Sequence, residues 1–267
     1  MATQKMNVHL DELAVVQGVR ERVSPEEWRT RVDLAACYRL IFWYGWHHLT
    51  LNHISAKVPG GDGHFLLNPT GLMYNEVTAS NLVKVDIDGN IQDDTPYTIN
   101  LAGYTIHSAV HAAREDAACV IHTHTPAGMG VSGLKCGLLP LNQGALRFYN
   151  RIGYHDYEGI ALDLDERVRL AKSLGPHKAM ILKNHGLMAV GQSIAEAFSV
   201  IYQLEKSCQT QLAMNATTAN SNIYEFPPPE VCEHAAQQAE RGGRDQGASH
   251  WPALVRLMEK EDPSFRD

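Results

Sequence analysis

Two histidines one residue apart, His122 and His124, stand at the end of an apolar run, in the segment VIHTHTPAG that covers residues 120–128. Residues i and i+2 of an extended chain project from the same face, so both imidazoles would point into the same space. Such a pair can chelate a cation. Two histidines without a third ligand are more often separate polar rings satisfied by carbonyls and water, so the pair alone does not establish a metal site.

A third histidine, His185, interrupts a later apolar segment, where KNHG lies between KAMIL and LMAV. A lone histidine in such a place is usually a core residue whose two nitrogens are both paired. Added to the earlier pair, it completes a set of three imidazoles, which is typical of a zinc ion that keeps one coordination position open for catalysis. The candidate metal ligands are therefore His122, His124 and His185.

Composition limits the classes of protein to consider. The chain has 267 residues, of which 44% are hydrophobic and 20% charged, and this favours one substantial domain. Its net charge of −7 argues against a nucleic-acid partner. No segment approaches the roughly 20 apolar residues of a membrane span, so we expect a cytoplasmic protein with no membrane partner. Five scattered cysteines without a C-x-x-C pair argue against a disulfide scaffold and a thiolate zinc finger.

Capping and turn signals predict the elements that must position the histidines. The segment Ser24-Pro25-Glu26-Glu27 combines an N-cap serine, a proline at the first helical position and a glutamate three residues on, and predicts a helix to about Tyr44. Between residues 51 and 91, short extended pieces separated by PGGDG, NPTG and DGN predict antiparallel strands. Further helices are predicted at about 102–114, 126–135, 164–174 and 193–213, and further strand segments at 117–123 and 178–190.

Six segments follow one another over roughly residues 30–215: NHISAKV, HFLLNPTGLMYNEVTASNLVKVD, AGYTIHSAVHAAREDAACVIHTHTPAG, SGLKCGLLP, YHDYEGI and LKNHGLMAVG. Taken in this order, they resemble the class II aldolase/adducin family. The resemblance implies an α/β fold, a three-layer α/β/α domain with a largely antiparallel central sheet. We assign it to residues 24–215, with an N-terminal arm at 1–23 and a C-terminal tail with short helices at 216–267. It also implies a homotetramer with sites near subunit interfaces.

The enzymes of that family bind zinc through three histidines, which the resemblance places at His122, His124 and His185. Their catalytic acidic residue lies four positions before His107, where this chain has Gly103. His53 stands where those enzymes have asparagine. The turn Asn68-Pro69-Thr70-Gly71 matches the phosphate-binding turn of the family, so His53, Asn68, Thr70 and Gly71 are the candidate substrate-binding residues.

The missing carboxylate raises the question of which group could replace it, because a general base typically contributes about 10²–10⁴-fold in rate. Tyr104, His107, His155 and Glu158 come into consideration. His107 and His111 lie at i and i+4 of a predicted helix, a spacing that equally suits histidines packed beneath the sheet, and we favour that interpretation for both. The candidate catalytic residues are thus Tyr104, His155 and Glu158, the last two in the polar segment YHDYEGI, which is equally typical of a solvated loop.

Three functions are compatible with these observations. The first is a metal-dependent aldolase or decarboxylase that acts on a small hydroxycarbonyl or keto-acid substrate. The second is an adducin-like binding or assembly protein that has lost catalysis and whose metal, if bound, is structural. A non-haem iron enzyme is the third, and it fits less well because the common iron site includes a carboxylate ligand.

Overall fold

The computed structural model of the chain describes residues 16–60, 63–159, 165–217, 224–240 and 247–267. Most of the predicted N-terminal arm, residues 1–15, lies outside the described residues. The remainder of the arm contains a short helix, α1 (Val19–Arg22).

Seven strands form one sheet in this part of the chain. They are β1 (His53–Lys57), β2 (Phe65–Leu67), β3 (Val83–Val85), β4 (Cys119–Thr123), β5 (Ile152–His155), β6 (Ala179–Leu182) and β7 (Gly186–Gly191). Their order across the sheet is β3-β2-β1-β4-β7-β6-β5. Every neighbouring pair is antiparallel except β5 and β6, which run parallel. The largely antiparallel sheet was predicted.

Helices cover both faces of this sheet. They are α2 (Pro25–Trp43), α3 (Leu101–Ala113), α4 (Pro126–Ser132), α5 (Gln143–Leu146), α6 (Glu166–Leu174), α7 (Ile194–Thr217), α8 (Pro229–Glu240) and α9 (Trp251–Glu261). The predicted cap of α2 is present, because the Ser24 hydroxyl accepts a hydrogen bond from the Glu27 amide at 3.1 Å.

Side chains of β4 point alternately to the two faces of the sheet, and helices pack on each face, which gives three layers. Cys119 and Ile121 belong to an apolar cluster that includes residues of α2 and α7. Val120, between them, belongs to a second cluster with residues of α3 and α6. Successive strand residues point to opposite faces, so both faces of the sheet are buried beneath helices. The structure thereby confirms the α/β/α architecture, and the same alternation directs His122 toward α3.

The C-terminal tail packs against α2. The Trp251 indole donates a hydrogen bond to the Asp33 carboxylate at 3.0 Å, and Arg39 forms an ion pair with Asp262 at 2.6 Å. Phe265 is fully buried in the same cluster as the α2 side chains. Aromatic burial of this kind is a major source of packing energy, and it holds the end of the chain against the domain.

Two features of the sheet differ from expectation. The predicted strand segment 178–190 is divided into β6 and β7 by a tight turn at residues 183–185, and β5 was not predicted at all. Its four residues alternate between half-buried and buried positions, a pattern too short to be distinguished from a polar loop. Among the described residues, no helix combines the length and apolarity that crossing a membrane requires.

Candidate metal centre

Two neighbouring strands bring the three predicted ligands together. His122 and His124 lie at the end of β4, and β7 pairs with β4 so that Thr123 is opposite Leu187. His185 precedes β7 in the turn from β6, where Asn184 adopts a left-handed φ of 56°. Gly186 allows the strands to approach, because a Cβ atom there would lie 2.3 Å from the Thr123 carbonyl oxygen. The turn therefore delivers His185 beside the end of β4.

The Nε2 atoms of the three histidines converge. The distance between His122 Nε2 and His124 Nε2 is 2.7 Å, between His124 Nε2 and His185 Nε2 2.9 Å, and between His122 Nε2 and His185 Nε2 3.2 Å. His122 is fully buried, whereas the other two are half-buried. The prediction that these residues form one cluster agrees with this geometry.

The surroundings hold these imidazoles in the neutral form. Burial lowers the pKa of His122 well below its ordinary value, and the neighbouring histidines lower it further. Burial and the proximity of His185 lower the pKa of His124 to about 4, and burial also lowers the pKa of His185. A neutral imidazole is the form that binds a metal ion.

The tautomer of His122 also suits a metal ligand. Its Nδ1 lies 2.9 Å from the Leu187 carbonyl oxygen, which can only accept, so Nδ1 carries the hydrogen and Nε2 presents a lone pair. A carbonyl partner on the second nitrogen is the usual arrangement of a ligating histidine. Three imidazole nitrogens at these distances suit a shared cation, and three neutral imidazoles are a donor set that zinc accepts. The residues present therefore fit a divalent ion.

His53 extends the cluster on the other side of β4. The antiparallel register of β1 and β4 places His53 opposite His122, with their ring centroids 5.1 Å apart. The imidazole of His53 occupies the space beside Gly103, where a Cβ atom would lie 2.5 Å from His53 Cδ2. Any side chain at residue 103 would therefore clash with the His53 ring where it now lies. The space that a carboxylate at position 103 would need is thus occupied.

Behind His53, polar side chains run between β1 and α3. His53 Nδ1 lies 2.8 Å from His107 Nε2, and the Ser55 hydroxyl contacts both His107 Nδ1 and, at 2.7 Å, His111 Nε2. The chain of contacts ends where His111 Nδ1 lies 3.0 Å from the Ala117 carbonyl oxygen. The interpretation of His107 and His111 as histidines packed beneath the sheet agrees with their complete or nearly complete burial.

The predicted substrate-binding turn, residues 68–71, makes hydrogen bonds to other parts of the protein. The Asn68 carboxamide oxygen accepts a hydrogen bond from the Tyr38 hydroxyl at 3.0 Å, and the Thr70 amide donates to the Thr98 carbonyl at 2.8 Å. Gly71 has a left-handed φ of 87° and is exposed together with Thr70. The Thr70 hydroxyl is therefore available to a ligand, whereas its amide is already used.

Tyr104, a predicted catalytic residue, has its contacts elsewhere. Its hydroxyl donates to the Ile87 carbonyl at 2.6 Å, its ring stacks with Phe65 at 6.3 Å between centroids, and the Arg167 guanidinium lies over the ring. These contacts belong to the apolar cluster at β2 and β3. The structure does not bring Tyr104 into contact with the three histidines.

His155 and Glu158 lie closer, beside a narrow crevice that His185 also lines. His155 is buried, with Nδ1 3.0 Å from the Ser173 hydroxyl and Nε2 3.4 Å from the Glu166 carboxylate. Glu158 accepts hydrogen bonds from the Arg169 guanidinium, which lowers the pKa of its carboxyl group. A carboxylate paired in this way is a weaker proton acceptor than a free one.

Three residues near the cluster were not selected from the sequence. Ser55 joins two buried histidines, the exposed His48 has Nδ1 3.4 Å from His124 Nδ1, and the ring of Tyr157 lies 6.4 Å from that of His185. Only the i, i+2 relation between His53 and Ser55 on one strand could have indicated the first of these. A cavity of about 570 Å³ lies elsewhere, between α8 and residues 147–151, and no candidate residue lines it.

One protein family and one of its curated members match this chain over most of its length. The family model described as Class II Aldolase and Adducin N-terminal domain matches residues 32–212. Alpha-adducin of Rattus norvegicus is 50% identical over 241 residues, which are 86% of this chain but only 33% of alpha-adducin. The similarity to alpha-adducin thus concerns one part of a much longer protein.

Solved structures show the same fold. An aldolase II superfamily protein from Pseudomonas syringae is 50% identical, has a TM-score of 0.88, and the match covers 93% of this chain and 99% of that one. The L-fuculose 1-phosphate aldolase from Glaciozyma antarctica is 26% identical with a TM-score of 0.79, and the match covers 96% of both chains.

Loss of one imidazole should abolish tight metal binding. We expect the wild-type protein to retain a near-stoichiometric divalent ion after dialysis, and His122→Ala and His185→Ala to bind it more than about 100-fold more weakly, because the loss of a ligand exceeds the loss of a supporting hydrogen bond. Metal content by mass spectrometry on untagged protein measures this. His234→Ala, at an exposed position on α8, is the matched control and should retain the ion. Equal metal content in all four proteins would contradict the assignment.

Stability of the metal-free protein should fall as the pH drops below about 6.5. Burial lowers the pKa of His111 to about 3 in the folded chain, so between pH 6.5 and 3 the unfolded chain binds a proton that the folded chain does not. The stabilisation is complete above this window and is lost through it, by up to about tenfold per pH unit in the unfolding constant. Urea unfolding of the protein in chelator at pH 7.5 and 5.5 measures the loss. His111→Gln should lose less than wild type and His234→Gln should lose as much.

Proposed function

Because the chain belongs to the class II aldolase/adducin family, we propose that it is a divalent-metal-dependent lyase, an aldolase or decarboxylase that acts on a small hydroxycarbonyl or keto-acid compound. The observation that carries the proposal is the convergence of the His122, His124 and His185 Nε2 atoms within 3.2 Å of one another. Zinc is the metal we propose first, since three neutral imidazoles that leave one position open are typical of catalytic zinc sites.

The bound ion would polarise a carbonyl oxygen and offset the negative charge that develops there when a carbon–carbon bond breaks. The chain's own residues hold the three nitrogens in place, through the Leu187 carbonyl behind His122 and the pairing of β4 with β7. His155, Tyr157 and Glu158 border the crevice next to His185, and the exposed Tyr157 and Glu158 are the ones that can contact a substrate there. Decarboxylation suits a site without a carboxylate at position 103, because breaking that bond requires an electron-withdrawing centre and no base.

A second candidate is a binding or assembly function without catalysis, as proposed from the sequence. It is favoured by the 50% identity to alpha-adducin and by the occupation of the space beside Gly103 by His53. In this case the metal would stabilise the fold at the end of β4, and the protein would bind a partner chain without turnover.

Turnover separates the two candidates. We expect the metal-loaded wild type to cleave or decarboxylate at least one compound in a panel of hydroxycarbonyl and keto-acid substrates. His185→Ala should lower kcat/KM roughly 1,000-fold, which corresponds to the several kcal/mol of charge stabilisation that a bound ion supplies. His234→Ala serves as the control and should keep full activity. A metal-loaded wild type that turns over nothing, while tightly capturing a partner, would favour the second candidate.

We also propose the homotetramer, on two observations. Trp43, Leu49 and Leu51 expose about half or more of their surface near His48, which contacts His124. The narrow crevice beside His185 is bordered by the exposed Tyr157, whose ring a neighbouring subunit would cover.

Solution mass tests the assembly. Light scattering at micromolar concentration should give about four times the 29.6 kDa of one chain. Leu49→Asp, a charged substitution in the exposed apolar group, should shift the protein toward smaller species, whereas Val168→Asp, at an exposed valine on α6, should leave the mass unchanged. A wild-type monomer would refute the tetramer.

A further inference from the structure

We propose that His53 Nε2 accepts a hydrogen bond from a hydroxyl group of the substrate, and that His107, Ser55 and His111 are positioning residues that fix His53 in the required tautomer. The inference rests on the proposed function and narrows it, because it selects hydroxyl-bearing carbonyl compounds over plain keto acids.

The direction of the hydrogen bonds is set at the inner end of the chain of contacts. The Ala117 carbonyl oxygen has no hydrogen, so His111 Nδ1, 3.0 Å away, must donate to it. A neutral imidazole carries one hydrogen only, and His111 Nε2 is therefore an acceptor. The Ser55 hydroxyl, 2.7 Å from that nitrogen, must point its hydrogen toward it.

Each following contact is then determined. The Ser55 oxygen has given its hydrogen to His111, so it accepts from His107 Nδ1. This leaves His107 Nε2 without a hydrogen, and His53 Nδ1 donates to it across 2.8 Å. A neutral His53 consequently presents a lone pair at Nε2. Every donor and acceptor along the chain is satisfied in this arrangement, and reversal of any one contact would leave two donors or two acceptors facing each other.

Burial disfavours a charge on the inner rings of this chain of contacts. His107 is fully buried, and desolvation together with the neighbouring His111 holds its pKa well below the ordinary value for histidine. Burial lowers the pKa of His111 to about 3, and the nearby Lys57 adds to this. With one hydrogen on each ring, the direction of every contact follows from the Ala117 carbonyl.

The lone pair of His53 opens toward the candidate site. None of the described residues donates a hydrogen bond to His53 Nε2, so its lone pair is left for a ligand or a water molecule. The His53 ring lies beside the His122 ring, and it occupies the space that a side chain at position 103 would otherwise fill. A small ligand bound at the three histidines would be adjacent to it.

An acceptor at this point discriminates between the two proposed substrate classes. A hydroxyl group next to a carbonyl can donate to the Nε2 lone pair. The oxygens of a keto group and of a carboxylate can only accept, so they would face the lone pair without a hydrogen bond and with electrostatic repulsion. A site built to bond a hydroxyl rejects an analogue that lacks it far more strongly than an apolar site does.

The tautomer is measured directly on metal-free protein by nitrogen-15 NMR of the histidine rings, which distinguishes a protonated nitrogen from one with a lone pair. We expect His53 and His107 to carry hydrogen on Nδ1 in the wild type. In Ser55→Ala the orienting hydroxyl is lost, and both rings should become mixtures of tautomers. Ser108→Ala is the matched control and should leave the tautomers unchanged, because it removes a buried serine hydroxyl of α3 whose one hydrogen bond among the described residues goes to the Thr105 carbonyl. Hydrogen on His53 Nε2 in the wild type would overturn the proposal.

Ligand discrimination is the second readout, with glycolate and acetate as probes that differ by one hydroxyl group. The ratio of their dissociation constants on metal-loaded protein includes any preference of the ion itself, so the change of the ratio between variants is decisive. We expect the preference for glycolate to fall at least fivefold in Ser55→Ala and to stay constant in Ser108→Ala. An unchanged ratio in Ser55→Ala would overturn the proposal.

Failure of the proposed lyase function and failure of the His53 tautomer assignment give different results in these experiments. If the protein binds no metal ion while His53 carries hydrogen on Nδ1, the lyase function fails, and the tautomer assignment stands. A bound ion together with hydrogen on His53 Nε2 refutes the present inference and leaves the lyase function intact.

Discussion

The register of β4 with its two neighbours is the constraint on which the site depends. Pairing with β1 sets His53 opposite His122, and pairing with β7 sets Thr123 opposite Leu187, next to the turn that carries His185. A shift of one residue on either side would turn a ring to the other face of the sheet. No local propensity of the histidines produces the cluster. Backbone pairing between segments more than 60 residues apart along the chain does so.

Much of this arrangement was predictable from the sequence. The i, i+2 spacing of His122 and His124, the third histidine in an apolar segment and the capping signal at Ser24 all follow from periodicity and local chemistry. The turns between residues 51 and 91 predicted antiparallel strands in that part, and the resemblance to the family implied the same for the rest of the sheet. The contact of His53 with Gly103 did not follow, because it depends on how closely α3 packs on β1. The direction of the polar contacts through Ser55 depends on one carbonyl, that of Ala117, which no pattern of residue types reveals.

In the buried histidines of this protein, electrostatics and hydrogen bonding determine different properties: the first sets the charge of each ring and the second sets its tautomer. Desolvation removes the charge from each ring, and the main-chain carbonyls of Leu187 and Ala117 then decide which nitrogen keeps its hydrogen. On one side of β4 the resulting lone pairs meet at a point, which attracts a cation. On the other side a lone pair stands alone, which attracts a hydrogen-bond donor. The same neutral residue type thus provides two kinds of ligand contact on adjacent strands.

The mutual exclusion of the His53 ring and a side chain at position 103 has an evolutionary consequence. A substitution of Gly103 by a carboxylate would clash with the imidazole, and replacement of His53 by a smaller residue would leave an empty, polar-lined space beside Gly103. We expect each change to be destabilising alone and tolerated together with the other, a pattern known as reciprocal sign epistasis. Positions 53 and 103 should therefore vary as a pair among relatives and divide them into two groups.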